Sequence, residues 1–139
     1  MSSTTDGWGV GCIRGAALPR MNHVSKVGPL SVLVTGATGY IGGRLVPRLL
    51  ELGHRVRVLV RDPGRVVGRA WENEVEIVQG DLCRADTLDG VFDGIEVAYY
   101  LVHSMETGRD FAARDRMAAT NFCARAGDVE HVVYIGGLV

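Results

Sequence analysis

From Leu30 onward, short β-branched apolar runs alternate with longer segments in which apolar residues recur at helical spacing. That alternation predicts repeated βαβ units around a parallel sheet, whose strands are buried on both faces and so read as continuous apolar runs. Five strands are expected, at Ser31 to Thr35, Arg55 to Val60, Glu74 to Gln79, Val97 to Val102 and His131 to Ile135. Helices are expected near Tyr40 to Leu52, Ala85 to Val91 and Arg109 to Ala126, with a short irregular turn of helix after Asp62. In the last of these, Phe111, Ala118 and Phe122 fall near one face while Arg114, Asp115 and Arg125 fall mostly elsewhere, as expected for a helix lying on a sheet. Right-handed crossovers then give an α/β fold with a doubly wound parallel sheet of order 3-2-1-4-5. Residues 1–29 show neither period and predict a loosely ordered leader, with Met21 as an alternative start of the natural product. Residues 30–139 predict one domain that stops just after its fifth strand and is incomplete at its C-terminus.

Composition narrows the class. With 139 residues, 47% of them hydrophobic and 22% charged, and a net charge of -1, the chain has enough apolar surface for a core. The charge balance gives no case for nucleic acid or an acidic membrane as partner. No apolar run approaches the roughly 20 residues of a membrane span, and the first 29 residues lack the apolar core of a signal peptide. Cys12, Cys83 and Cys123 are widely scattered and odd in number, which predicts thiols in a reducing, cytoplasmic setting and no metal site.

The chemistry begins where the first strand runs straight into Thr35-Gly36-Ala37-Thr38-Gly39-Tyr40-Ile41-Gly42 and a helix follows at once. Gly36 lets the backbone turn sharply, Gly39 lets the main chain approach a pyrophosphate with no Cβ in the way, and Gly42 lets the helix pack close to the strand. Free amides at the helix start then meet phosphate charge, aided by the helix dipole. Strand before, helix after and four further strands make this a Rossmann-type dinucleotide turn. The blander alternative is a tight strand-to-helix turn with no ligand.

An acidic residue about 20 positions beyond such a turn, at the end of the second strand, would hydrogen-bond the ribose 2′-hydroxyl of NAD. Here the first residue past Val60 is Arg61, whose guanidinium suits a 2′-phosphate, so NADP is expected with NAD as the alternative. Asp62 tempers that, because a one-residue shift of the strand boundary brings its carboxylate to the ribose. Arg65 could add to a phosphate site or be a solvated surface residue. Gly80-Asp81-Leu82, closing the third strand, is placed to border an adenine pocket, with Asp81 equally able to cap the following helix.

These motifs, together with Arg61-Asp62-Pro63 and the stretch Ala98-Tyr99-Tyr100-Leu101-Val102-His103-Ser104-Met105, resemble an atypical short-chain dehydrogenase/reductase of the NmrA-like, NAD(P)H-binding family. The resemblance runs from Leu30 to Val139 and covers the N-terminal part of such a protein. It implies dinucleotide contacts at Gly36, Thr38, Gly39, Tyr40, Ile41, Gly42, Arg61, Asp81 and Leu82, and a nicotinamide near the exit of the fourth strand, around Leu101 to His103. Members that reduce carbonyls use a tyrosine acid with a lysine four residues later, the ammonium lowering the tyrosine's pKa. Tyr40, Tyr99, Tyr100 and Tyr134 are followed at that position by Arg44, His103, Ser104 and Leu138, and the sole lysine, Lys26, lies upstream of the fold. Where a serine is expected after the fifth strand, Ile135-Gly136-Gly137 stands.

Candidate catalytic residues are therefore His103 and Tyr100, each set against a structural role that a lone residue at a strand end more often has. His54 and His131 lie at the opposite edge and are expected to be structural. Asn121 resembles an asparagine that short-chain reductases carry on this helix, though packing accounts for it equally. Asp110, Arg114, Asp115 and Arg116 describe a solvated helix face, and Trp71 a packed loop. Three functions follow: the NAD(P)-binding domain of an oxidoreductase acting on an unknown small molecule, a non-catalytic dinucleotide-binding sensor or regulatory module, or an inactive fragment.

Overall fold

The computed structural model describes residues 28–102 and 109–135. All but Gly28 and Pro29 of the expected leader, and the stretch His103 to Met105, lie outside those residues. Five strands, β1 (Ser31–Thr35), β2 (Arg55–Val60), β3 (Glu76–Gln79), β4 (Val97–Tyr100) and β5 (His131–Tyr134), form one parallel sheet in the order β3-β2-β1-β4-β5. Helices α1 (Tyr40–Glu51) and α2 (Arg109–Arg125) are its two long crossover elements. The expected α/β doubly wound topology is the observed one.

β1 is central because its sequence is apolar on both faces: Val32, Leu33 and Val34 are buried, and the hydroxyl of buried Thr35 donates to the Tyr99 carbonyl at 3.0 Å. One face of the sheet packs Val32, Val34, Val56, Val58 and Val60 under Val46 and Leu49 of α1, with Val66 and Trp71 from the β2–β3 connection. The other packs Leu33, Leu59, Ala98 and Tyr100 against Ala118 and Phe122 of α2. Phe122 meets Phe92 and Tyr100 edge-on, at centroid separations of 5.2 and 5.0 Å.

Several boundaries differ from expectation. β3 begins at Glu76, since the Glu74 amide is spent on the Trp71 carbonyl in a turn. β4 ends at Tyr100, and Leu101 and Val102 leave the sheet. In place of a helix over Ala85 to Val91 stands a 3-10 turn, Ala85–Leu88, followed by Gly90 at φ +76°, a backbone that no α-helix continues. α1 ends on Gly53 at φ +83°, whose amide bonds the Leu50 carbonyl while that of His54 bonds Leu49. This pair of bonds closes the helix by the αL route that glycine serves best. His54 has the structural role expected, its Nδ1 accepting from the Leu30 amide at 3.1 Å. Cys83 is a free thiol, as expected, whereas Cys123 is disulfide-bonded, against the expectation of thiols throughout. Among the described residues no helix is long and apolar enough to cross a membrane, and no cluster of His, Cys, Asp or Glu is placed to hold a metal ion.

Candidate functional site

A parallel sheet presents the carboxyl ends of all its strands on one side, and a cleft opens there, at the carboxyl ends of β1, β2, β3 and β4. It encloses about 820 Å³. Its floor is the turn between β1 and α1, where each glycine answers a different steric demand. Gly36 sits at φ +79°, and a Cβ there would lie 2.9 Å from the Leu101 carbonyl oxygen. Gly42 is buried, and its Cβ would fall 2.2 Å from the Gly36 oxygen and 2.7 Å from the Ala37 Cα. Gly39 is exposed; its Cβ would meet only the Gly36 oxygen, at 3.3 Å, so a side chain there would project into open space at the cleft. Gly39 is also the N-cap of α1, and no side chain caps it. The first amides of a helix have no intrahelical partner, so this end offers donors and the positive end of the dipole to an anion.

The exit of β2 forms one wall. Arg61 is the first residue past the strand, as the sequence predicts, and its carbonyl accepts from Gln79 Nε2 at 3.2 Å. The Asp62 carboxylate is used locally: Oδ1 accepts from the Gly64 amide at 2.9 Å and caps a 3-10 turn, Pro63–Arg65. Arg48, Arg57, Arg84 and Arg125 pair with carboxylates, but the guanidinium groups of Arg61 and Arg65, both lining the cleft, have no such partner among the described residues.

The exit of β3 forms a second wall. Gly80 is buried against Leu59 and Thr87, and Asp81 Oδ1 accepts from the Cys83 amide at 2.9 Å, so the carboxylate caps its own loop. Leu82 borders the cleft, its carbonyl held by Asn121 Nδ2 of α2 at 2.7 Å. That bond gives Asn121 its role in this structure. Opposite, Phe111, Arg114, Asp115 and Ala118 bring α2 to the cleft. Arg114 and Asp115 are exposed as expected, but they face this cleft, which the charge pattern alone did not reveal.

Of the residues singled out in the sequence, Gly36, Thr38, Gly39, Arg61, Asp81, Leu82 and Leu101 are brought together around one space. Tyr40 and Ile41 are 75% and 45% exposed and are not among the residues lining it. The Arg44 guanidinium lies over the Tyr40 ring at 4.5 Å. Tyr40 and Ile41, with buried Gly42, have main-chain amides to offer at the helix start. Tyr100 is buried in the core and absent from the cleft lining, and burial pushes its phenol up to about 12. His103 lies outside the described residues.

Residues 30–137 match the model of the NmrA-like family. The chain is similar to a "3 beta-hydroxysteroid dehydrogenase/Delta 5-->4-isomerase" of Mycobacterium tuberculosis, with 31% identity over 120 residues, 86% of this chain and 32% of that one. It is similar also to a dihydroflavonol 4-reductase of Callistephus chinensis, with 33% identity over 123 residues, 76% of this chain and 33% of that one. Among solved structures, the Bordetella bronchiseptica enzyme WbmG in complex with NAD shares the fold at a TM-score of 0.63 and 18% identity, over 80% of this chain and 38% of its own. The chain thus spans about a third of the length of these relatives.

Proposed function

The chain belongs to the NmrA-like family, and on that premise we propose that its cleft binds NADP(H), with the pyrophosphate on the glycine turn and the 2′-phosphate at the exit of β2. The observation that carries this is the juxtaposition, around one cleft of about 820 Å³, of an uncapped helix start beside Gly39 with two arginines that have no carboxylate partner among the described residues. The volume lies within the range of ligand pockets, and the open approach at Gly39 is a cradle that any side chain would fill. The residues present therefore fit the cofactor. Gly36, Thr38 and Gly39 would border the pyrophosphate with the amides of Tyr40, Ile41 and Gly42; Arg61 and Arg65 would meet the 2′-phosphate; Asp81 and Leu82 would border the adenine; and Leu101 would lie toward the nicotinamide. That Asp62 is engaged with the Gly64 amide supports NADP over NAD, since the carboxylate otherwise available to a ribose hydroxyl already has a donor.

A bound nicotinamide supplies hydride transfer, and the domain serves an oxidoreductase on a small-molecule substrate. The chain's own residues include no tyrosine followed by lysine at the fourth position. The burial of Tyr100 favours one second reading, a dinucleotide-binding module without turnover. Titration with NADPH and NADH, followed by nicotinamide fluorescence, tests the shared core of both. NADPH is expected to bind more tightly, and Arg61→Ala to weaken NADPH by roughly one to two kcal/mol, the scale of a charge-assisted hydrogen bond, with NADH unchanged. Equal loss of both cofactors would refute the phosphate assignment, and failure of either to bind would refute the site.

A further inference from the structure

Resting on that reading, we propose that Arg69 is a positioning residue whose guanidinium sets the separation between the glycine turn and the β2 exit. Arg69 is not part of the cleft lining; it stands behind it. Its Nη2 donates to the Thr38 carbonyl at 3.0 Å, and its Nε donates to the Arg65 carbonyl at 3.2 Å. Thr38 and Arg65 both line the cleft, one on each side, so a single planar group ties two walls that are otherwise separate stretches of chain. An arginine can hold two carbonyls in one fixed geometry, whereas the point charge of a lysine cannot.

The support behind Arg69 is itself anchored. Its guanidinium carbon lies 5.7 Å from the centre of the Trp71 ring, and Val66 and Trp71 are both buried under α1. The Glu72 carboxylate accepts from the Gly68 amide and closes the segment on itself. The same contact explains Gly43, which lies outside the spaced-glycine pattern: a Cβ there would sit 3.0 Å from Arg69 Nη1, so its absence leaves the path by which the guanidinium reaches the turn. The Thr38 oxygen, held by a cation, is also neutralised as a repulsive neighbour for a phosphate on the turn.

Ligands that span both walls then depend on Arg69, and a ligand that uses one wall does not. NADPH and NADH reach from the turn to the β2 exit, while adenosine 2′-monophosphate engages the exits of β2 and β3 and leaves the turn empty. In the full chain, Arg69→Met and Arg69→Lys are each expected to weaken NADPH and NADH by about tenfold, the scale of one hydrogen bond, and to leave adenosine 2′-monophosphate within about twofold. Gly43→Ala is expected to shift the guanidinium by only a few tenths of an ångström and to weaken both dinucleotides less than Arg69→Met does, while the melting temperature holds or rises because alanine is the better helix former. Wild-type affinity in Arg69→Met, full rescue by Arg69→Lys, or a parallel loss of adenosine 2′-monophosphate each overturns the inference. A wild-type chain that binds neither dinucleotide overturns the cofactor reading as well, which separates the two failures.

Discussion

Gly36 and Gly53 form a matched pair that isolates the cost of the close approach at the cleft. Both hold left-handed backbone, at φ +79° and +83°. An alanine at either adopts that conformation at a cost of roughly 1–2 kcal/mol. At Gly53 nothing lies within 4 Å of the added Cβ, so the conformational cost is the whole effect. At Gly36 the Cβ lands 2.9 Å from the oxygen and 3.0 Å from the carbon of the Leu101 carbonyl. Backbone next to a paired strand moves reluctantly, so overpacking there adds roughly 1–3 kcal/mol. Urea denaturation should therefore place Gly36→Ala below Gly53→Ala by at least about 1 kcal/mol with equal m-values, which corresponds to roughly 3–5 °C in melting temperature. Gly36→Ala should also weaken NADPH, because relieving the clash moves the turn, while Gly53→Ala, at the far end of α1, leaves affinity intact. Equal destabilisation of the two variants would show that the contact with Leu101 is easily relieved and would refute the claim that the close approach of Leu101 fixes the turn.

The capping role of Asp62 predicts that Asp62→Ala loses about 1 kcal/mol of stability and shifts NADH and NADPH affinities by the same factor; a loss confined to NADH in the same titration would return the carboxylate to the ribose. Tyr100 has its phenol raised to about 12 by burial first and by the charge of Asp115 next. Between the ordinary tyrosine value near 10 and that figure the folded state holds a proton the unfolded state has lost, so the stabilisation is complete below about pH 10 and disappears as pH rises toward 12. Denaturation midpoints measured across that range should fall in wild type and fall less in Tyr100→Phe, and identical slopes would contradict the assignment.

The sheet order was legible because strand and helix alternate with different periods, and parallel crossovers leave few topologies. The glycine turn was legible for a similar reason, since strand, spaced glycines and helix are contiguous. Contacts made by side chains reaching across the fold were not. No spacing rule connects Arg69 to Thr38 or Asn121 to the Leu82 carbonyl, and the roles of Arg114 and Asp115 depend on where α2 lies over the cleft. The phase of α1 likewise turned Tyr40 outward although its amide belongs to the turn. The helix expected over Ala85 to Val91 failed on Gly90, whose positive φ outweighed the apolar spacing around it.

The place of β1 between β2 and β4 also governs the order in which the molecule can assemble. Val32 lies beside Val56 on one side and beside Val97 on the other. A nascent chain emerging from the ribosome can zip the first pair early, but the second must await a much longer loop closure, which slows folding. Until Val97 has been synthesised, buried β1 has one bare flank, an unpaired edge of the kind that favours off-pathway association.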